Sequence, residues 1–257
     1  MRENVLIAVP TLTGKLSASI AYLFTLAHKL NAREGPFTYH TTTAEGISGH
    51  ALARNNIVQQ FRKGNYDRLW MIDDDIVVEA EAFGLLDVDA DIVAPLMPIY
   101  KLNHDRDAKR LNVWTGYAAF RFHDLDDMNS STYADLEFGT GIQEVDAAGF
   151  GCTIIRAALL RDERLLGNLE FTRLDGRRHT LTETDPPPLF QTRTLPNGEV
   201  DLGEDVDFCL RAKKLGYRVA VDTGIEVGHV KPFDIRYLIM LKKHYEDLFH
   251  SVTPATV

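Results

Sequence analysis

The sequence predicts an α/β protein whose central sheet is mainly parallel and carries helices on both faces. Short apolar runs of strand length alternate with segments whose apolar residues recur at helical spacing. Residues that end helices or form turns, such as Gly35, Pro36 and Gly64, stand between these segments. A strand and helix series of this kind favours parallel strands joined by helical crossovers, which cover the two faces of the sheet.

The regular series occupies the N-terminal part of the chain. The predicted strands are residues 5–10, 37–42, 68–73 and 91–95. The first predicted helix contains the apolar residues from Leu16 to Leu30. Because ligands of such sheets bind at the carboxyl ends of the strands, the site is expected at that edge.

The second predicted helix spans residues 49–63. Ser48 is its expected N-terminal cap. Leu52, Val58 and Phe61 are its expected inward-facing residues.

The composition is that of an ordinary globular protein. The chain has 257 residues, 45% hydrophobic and 25% charged, which suits one large domain. Its apolar runs are far shorter than the ~20 residues of a membrane-spanning helix. The N-terminal run is too short for a signal-peptide core, so a cytoplasmic location is expected. Cys152 and Cys209 are expected as buried free thiols. A net charge of −9 argues against general attraction to nucleic acid or anionic lipid.

The strand at residues 68–73 ends in three consecutive carboxylates, Asp73, Asp74 and Asp75. Neighbouring like charges repel and resist desolvation, so a divalent cation or strong hydrogen-bond donors should accompany them. Mg²⁺ and Mn²⁺ favour oxygen ligands, usually one or two carboxylates together with phosphate oxygens. The pattern therefore predicts a site for a cation and a phosphate.

Regular alternation fails at residues 100–138. Residues 112–122 are a candidate strand there, and the polar flanks 103–110 and 123–131 predict surface loops. Residues 165–198 are again irregular, and long irregular segments of this kind are often functional loops. Between these segments, Gly149 and Gly151 stand two residues apart in an apolar run. This spacing predicts either a tight turn or a close approach of the backbone to a ligand.

A second acidic segment opens a helix that ends at Gly216. Its first turn holds Glu204, Asp205 and Asp207. Acidic residues favour the positive end of a helix dipole, which explains one or two of the three. A strand and a strand-like segment that ends at His229 follow this helix.

Taken in order, these motifs resemble those of the nucleotide-sugar-dependent glycosyltransferases of the GT-A fold, in particular the large inverting glycosyltransferase family 2. The motifs are Val-Pro-Thr at 9–11, Ala-Arg-Asn-Asn at 53–56, Asp-Asp-Asp at 73–75, Gly-Phe-Gly-Cys at 149–152, Gly-Glu-Asp-Val-Asp-Phe at 203–208 and Val-Gly-His at 227–229. The resemblance covers about residues 5–230.

The resemblance implies one Rossmann-like GT-A domain with a smaller antiparallel portion on the acceptor side. Residues 1–99 would form the half that binds the nucleotide sugar. Residues 100–232 would form the acceptor-binding and catalytic half, and residues 233–257 a C-terminal helix and tail.

The resemblance also implies a donor pocket. Pro10 and Thr11 would line the nucleoside pocket, and Arg54 and Asn55 would flank the base or the diphosphate. The favoured donor is a UDP-sugar. A solvated helix position remains the alternative for Arg54.

A metal site is implied beside this pocket. Asp73, Asp75 and His229 would hold Mn²⁺ or Mg²⁺, with Asp73 also contacting the donor. Alternate residues of an extended strand point the same way, so Asp73 and Asp75 are expected to converge while Asp74 points away. Asp74 is then expected to be a spacer or a hydrogen-bonding residue, and it is counted among the predicted substrate-binding residues.

The catalytic residue implied by the resemblance is a general base. Asp205, with Glu204 as the adjacent candidate, would take the proton of the acceptor hydroxyl as it attacks the anomeric carbon, with inversion favoured. Gly149 and Gly151 would let the backbone approach the donor sugar or the acceptor; a purely structural turn is the alternative.

Three other classes remain open. A sugar-nucleotide nucleotidyltransferase would need a glycine-rich loop followed by Arg and Lys, which residues 11–15 do not supply. A catalytically silent protein that binds a nucleotide sugar or a glycan would share the fold. A metal-dependent nuclease would not explain the Ala-Arg-Asn and Val-Gly-His elements.

The acceptor is not specified by any motif, and a saccharide, a protein or a modified nucleobase in DNA all remain open. Nucleic acid is possible but not favoured, although the loops hold a basic set: Arg106, Lys109, Arg110, Arg173, Arg177, Arg178 and His179. Residues 234–249 predict an amphipathic helix, for which core packing or dimerisation is favoured over membrane-surface contact through Lys242 and Lys243. A monomer and a homodimer are both compatible with the sequence.

Overall fold

The N-terminal part of the chain folds into the predicted alternation of strands and helices. The structure is a computed structural model that describes residues 2–105, 110–127, 130–167, 170–172, 178–182, 184–194 and 200–230. Its first elements are β1 (Glu3–Thr11), α1 (Ala18–Asn31), β2 (Phe37–Glu45), α2 (His50–Lys63), β3 (Arg68–Ile72), β4 (Ile76–Val77), a 3-10 helix (Ala80–Asp87) and β5 (Ile92–Leu96). The four predicted strands and two predicted helices are confirmed, with shifts of a few residues at their ends.

The remaining elements of the described chain are mainly short strands, with a few helical segments. In order they are β6 (Pro98–Asp105), β7 (Arg110–Tyr117), β8 (Ala119–Phe122), β9 (Ser131–Tyr133), β10 (Ile142–Val145), β11 (Ala147–Ala148), β12 (Cys152–Arg156), α3 (Ala157–Leu160), a 3-10 helix (Glu163–Leu165), β13 (Glu170–Thr172), β14 (Arg178–Thr180), β15 (Arg193–Thr194), β16 (Val200–Leu202), α4 (Glu204–Lys214), β17 (Val219–Glu226) and β18 (Gly228–His229). The acidic segment does open a helix, and His229 does end a strand-like segment, as predicted.

Seven strands form the central sheet in the order β10-β17-β5-β12-β3-β1-β2. Parallel pairing joins β1 to β2, β1 to β3 and β17 to β5. β12 is antiparallel to β3 and β5, and β10 is antiparallel to β17. Thus β1, β2, β3, β5 and β17 run in one direction, which confirms a mainly parallel, Rossmann-like sheet. A separate three-stranded antiparallel sheet, β11-β8-β9, and several two-stranded pairs lie outside it.

The central sheet has a hydrophobic cluster on each face. One cluster joins it to α2 and α4 and contains Met71, Phe61 and Phe208, all fully buried. The other joins it to α1 and the longer 3-10 helix and contains Trp70 and Leu23. Since successive strand side chains point to opposite faces, neighbours such as Trp70 and Met71 belong to different clusters. Helices therefore cover both faces, as predicted.

The start of α2 differs from the prediction. Ser48 does not cap the helix; Gly49 is the N-cap residue, and no side chain bonds to the first turn. Gly49 has φ of 96°, a backbone conformation that glycine adopts without steric cost. The first backbone N–H groups of α2 therefore have no side-chain cap.

The buried face of α2 also differs in part. Val58 and Phe61 face inward as predicted, but Leu52 is 51% exposed. The polar residues Arg54 and Asn55 are buried instead. The prediction for Leu52 is wrong because the helix turns these two polar side chains toward partners inside the protein.

The two segments without regular alternation contain ordered structure. β6 and β7 pair antiparallel from Pro98 with Tyr117 to Asp105 with Arg110. In the second segment Leu189 and Phe190 are buried in the core. The candidate strand at 112–122 is confirmed as β7 and β8. The loop prediction for residues 103–110 is wrong in part, because β6 continues to Asp105 through its pairing with β7.

Several predictions concern residues outside the described parts of the chain. They include the helix at 234–249 and Arg106, Lys109, Arg173 and Arg177 of the basic set. Cys152 and Cys209 are both buried and free, as predicted. Among the residues that the structure describes, no helix is long and apolar enough to cross a membrane.

Candidate active site

A cleft of about 270 Å³ opens at the edge of the sheet where the parallel strands β1 and β3 end. Its lining comes from three segments that follow or precede regular elements. They are Pro10, Thr11 and Leu12; Ile47, Ser48, Gly49, His50, Ala53 and Arg54; and Asp73, Asp74 and Asp75. The volume lies just below the roughly 300–1,000 Å³ range of small-molecule pockets. The cleft thus occupies the edge where sheets of this type bind ligands.

Arg54 is the central buried cation of this region, with only 2% of its surface exposed. Its Nη2 donates to Asp73 Oδ1 at 3.1 Å and Oδ2 at 3.0 Å, and its Nη1 donates to Glu204. Burial alone lowers the pKa of Arg54, but the neighbouring carboxylates, first Asp73 and then Glu204, raise it above its ordinary value. Arg54 therefore ties the end of β3 to the start of α4 and is not a solvated helix residue.

The three aspartates form a turn. Asp73 N donates to Gly151 O at 2.8 Å, and Ile76 N donates to Asp73 O at 3.1 Å. Because β3 ends before Asp73, the alternation of an extended strand does not apply to these residues. Asp73 turns toward Arg54, Asp75 toward His229, and Asp74 also lines the cleft. Because Asp74 lines the cleft, the expectation that it points away is wrong, whereas the convergence of Asp73 and Asp75 stays a prediction.

His229 and Asp75 come together at this edge. His229 Nε2 lies 3.3 Å from Asp75 Oδ2, and Nδ1 lies 3.0 Å from Pro98 O. A carbonyl oxygen only accepts, so Nδ1 carries the proton. In neutral His229 the lone pair of Nε2 then faces the carboxylate of Asp75.

This arrangement suits a divalent cation between the two side chains. Histidines that bind metals usually donate their second ring N–H to a carbonyl or carboxylate, as Nδ1 of His229 does to Pro98. In the described ranges no group of three His, Cys, Asp or Glu side chains converges on one point. The predicted set of Asp73, Asp75 and His229 is therefore not assembled, since Asp73 is held by Arg54. Only the pair of Asp75 and His229 comes together among the described residues.

The two acids at the start of α4 occupy different environments. Glu204 is an ion-pair partner of Arg54, and its side chain is 13% exposed. Asp205 Oδ1 accepts from Val206 N at 2.8 Å. Asp205 is partly exposed, and its charge contributes to the raised pKa of Arg54. Glu204 is occupied by its ion pair with Arg54, so Asp205 is the better candidate of the two for the general base.

Gly149 and Gly151 are packed against the protein's own side chains. A Cβ at Gly149 would lie 2.5 Å from Met97 Cε and 2.7 Å from Ala118 Cβ. A Cβ at Gly151 would lie 2.3 Å from Met97 Sδ. This geometry favours tight packing, the structural alternative, over contact with a ligand. Gly149 still borders the site, since its added Cβ would be 3.7 Å from Asp205 Oδ2.

Asn55 is not among the residues that line the cleft. Its Nδ2 donates to Phe190 O at 2.9 Å, and its Oδ1 accepts from Phe190 N at 2.8 Å. Both ends of the amide are thus bound to one backbone position. Asn55 anchors the segment around Phe190, which accounts for its burial without a ligand.

Pro10 and Thr11 line the cleft, where the sequence placed them. Thr11 is 3% exposed, and its Oγ1 has no hydrogen-bond partner among the described residues. Sequence reasoning missed the lining residues Ile47 to His50 as site residues, although their place between a parallel strand and the next helix was a usable signal. It also missed Pro98. The backbone carbonyl of Pro98 makes the contact with His229, so no side-chain motif could indicate it.

Comparisons with known proteins place the chain in no family. No protein-family model matches it, and no curated protein sequence matches it. Among solved structures, A197 from STIV matches with a TM-score of 0.47 and 16% identity, over 90% of this chain and 87% of that chain. GalNAc-T7 with UDP, GalNAc and Mn²⁺ matches with a TM-score of 0.48 and 12% identity, over 91% of this chain and 44% of that chain. Scores and identities this low assign no function.

Proposed function

We propose that this chain is a metal-dependent glycosyltransferase that moves a sugar from a nucleotide-diphosphate sugar, favoured as a UDP-sugar, to an acceptor hydroxyl. The observation that carries the proposal is the contact of His229 Nε2 with Asp75 Oδ2, with Nδ1 on Pro98 O. This contact lies beside a cleft whose other walls are the predicted nucleotide-binding residues Pro10 and Thr11. A carboxylate and an imidazole that can hold a cation beside this cleft support the binding of a diphosphate there.

Asp75 and His229 are the residues that would hold Mn²⁺ or Mg²⁺. When bound, the cation would neutralise the charge that builds on the departing nucleoside diphosphate. Imidazole nitrogen suits Mn²⁺ better than Mg²⁺, so Mn²⁺ is the favoured ion. Asp73, oriented by Arg54, would contact the ribose or the donor sugar rather than complete the metal shell.

The chain's own groups supply the proton transfer. Asp205 takes the proton of the acceptor hydroxyl, and the hydroxyl oxygen forms a bond to the anomeric carbon as the bond from that carbon to the diphosphate breaks. The nucleoside diphosphate leaves with the bonding electron pair, and the sugar is transferred with inversion. Glu204 keeps Arg54 charged and in place, and so acts as a positioning residue.

A panel of nucleotide sugars tests the proposal. We expect one nucleotide to raise the melting temperature in the presence of Mn²⁺, and slow hydrolysis of the matching donor. Both effects should disappear on chelation and in Asp75→Ala, and persist in the matched variant Asp135→Ala, which removes an exposed aspartate. Stabilisation that survives chelation, or that is unchanged in Asp75→Ala, contradicts the metal-bridged donor site.

A further inference from the structure

A second cavity lies beside the C-terminal half of α2, away from the residues of the cleft. Its volume is about 470 Å³, within the range of small-molecule sites. One wall is polar and carries Gln59, Arg62 and Lys63 of α2. The rest of the lining is mainly apolar, with Thr182 and Asp185 as its polar members, and includes three consecutive prolines, Pro186 to Pro188. The cavity thus combines a flat apolar surface with a cationic one.

The cations of this cavity have no carboxylate partner among the described residues. Arg62 Nε donates to Leu160 O at 2.6 Å, and Nη2 is buried without a hydrogen bond. Burial lowers the pKa of Arg62, and the charge of Arg161 lowers it further, against an opposing effect of Glu163. A half-buried guanidinium next to a second one is electrostatically costly, and a bound anion would relieve that cost.

The carboxylate in the cavity wall is hydrogen-bonded within its own segment. Asp185 Oδ2 accepts from Thr182 N and Thr182 Oγ1, both at 2.8 Å. Arg62 and Lys63 are therefore the candidate anion-binding groups of the cavity. Gln59 Nε2 donates to Thr184 O at 2.8 Å and holds the wall around Thr184 against α2.

We propose that this cavity binds a small organic anion, with its phosphate or carboxylate group between Arg62 and Lys63 and its flat apolar body against Pro186 to Pro188. A guanidinium N–H binds such an anion through a charge-assisted hydrogen bond, and an ammonium adds a point charge. The proposal is independent of the glycosyltransferase reaction, because none of these residues lines the cleft.

Occupancy of this cavity also affects a segment that reaches the candidate active site. The three prolines continue directly into Leu189 and Phe190. Leu189 O accepts from Arg211, and the backbone of Phe190 is bound at both polar groups by Asn55, which follows Arg54 on α2. A ligand that packs on the prolines therefore stabilises the hydrogen bond from Phe190 N to Asn55.

Phenyl phosphate is a suitable probe, with inorganic phosphate and phenol as comparisons. We expect saturable millimolar binding of phenyl phosphate by calorimetry, with much weaker binding of either comparison. Lys63→Gln, at an exposed position, should weaken binding several-fold, and Arg62→Gln by roughly tenfold or more. The matched variant Lys29→Gln, in the last turn of α1, and the cleft variant His50→Gln should bind as the wild type does.

The site is disproved if phenyl phosphate does not bind, binds no better than phosphate or phenol, or binds Lys63→Gln with wild-type affinity. Hydrogen exchange supplies a second readout. Phenyl phosphate should slow exchange of the Phe190 amide in the wild type but not in Lys63→Gln. Unchanged exchange at Phe190 in the saturated wild type would overturn the proposed packing on the prolines.

Discussion

Arg54 holds Asp73 through both carboxylate oxygens, with its Nη2 at 3.1 Å from Oδ1 and 3.0 Å from Oδ2. The same guanidinium binds Glu204, so one buried cation joins the acidic turn after β3 to the acidic start of α4. Three consecutive aspartates repel one another and need a counter-charge. Part of their charge is balanced by a fixed internal cation, and the cation that we propose would bind at Asp75 and His229.

Removal of Arg54 should destabilise the protein strongly. Arg54→Met leaves Asp73 and Glu204 poorly solvated and without their counter-charge, so the free energy of unfolding should fall by about 3–5 kcal/mol. Denaturant titration measures this change. Arg33→Met removes an exposed arginine and should have almost no effect. A similar small effect in Arg54→Met would show that the ion pairs contribute little.

Replacement of His229 should weaken metal binding without unfolding the protein. His229→Gln removes the nitrogen that faces Asp75, and we expect the affinity for Mn²⁺ to fall roughly tenfold or more. Calorimetric titration with Mn²⁺ measures it, and His28→Gln, at an exposed position of α1, is the control. Equal affinities of the two variants would remove His229 from the metal site.

Asp205 and Glu204 should respond differently to the same chemical change. Asp205→Asn should lower the turnover number by about 10²–10⁴ and leave donor affinity unchanged, because only the proton acceptor is lost. Glu204→Gln should mainly lower the melting temperature, because it removes a partner of Arg54. Kinetics and donor titration on both variants separate the roles. Normal transfer by Asp205→Asn would exclude it as the base.

A side chain at position 151 should lower the stability of the protein. The added methyl of Gly151→Ala would collide with Met97 Sδ, and overpacking of this kind costs about 1–3 kcal/mol of stability. Gly35→Ala is the matched control, because nothing lies within 4 Å of its added Cβ. In a double-mutant cycle, Met97→Ala should recover part of the loss in Gly151→Ala. Strict additivity would show that the two side chains do not collide.

The buried thiols should make the protein sensitive to alkali. Burial raises the pKa of Cys152 to about 12, from an ordinary value near 9.0. A raised folded-state pKa means that the contribution to stability is complete below the unfolded-state pKa and is lost as the pH rises from about 9 toward 12. Free energies of unfolding measured across that range should fall less steeply in Cys152→Ala. At pH 8, Ellman's reagent should react with the unfolded protein but not with the folded one.

Much of the fold followed from local patterns. The strands at Val5 and Leu69 and the helices between them were predictable because apolar spacing and glycine positions specify elements over a few residues. The strand at residues 112–122 was also predicted, but β6 was not, since β6 is stabilised by pairing with β7 and its own residues show no strand pattern. Phe190 was missed for a similar reason: its ring packs against Phe150 and Phe208, and its backbone is bound by Asn55, none of them a neighbour in the chain.

By itself the sequence determined the class of sheet, the edge at which the acids lie, and the residues from which a site can be built. Short-range periodicity and strand-end chemistry contain that information. Only the tertiary structure decided which partner each acid contacts. Asp73 pairs with Arg54 and Asp75 with His229, and Glu204 rather than Asp205 forms an ion pair with Arg54. These pairings depend on turn geometry and on contacts across the sheet, which the order of residues along the chain does not specify.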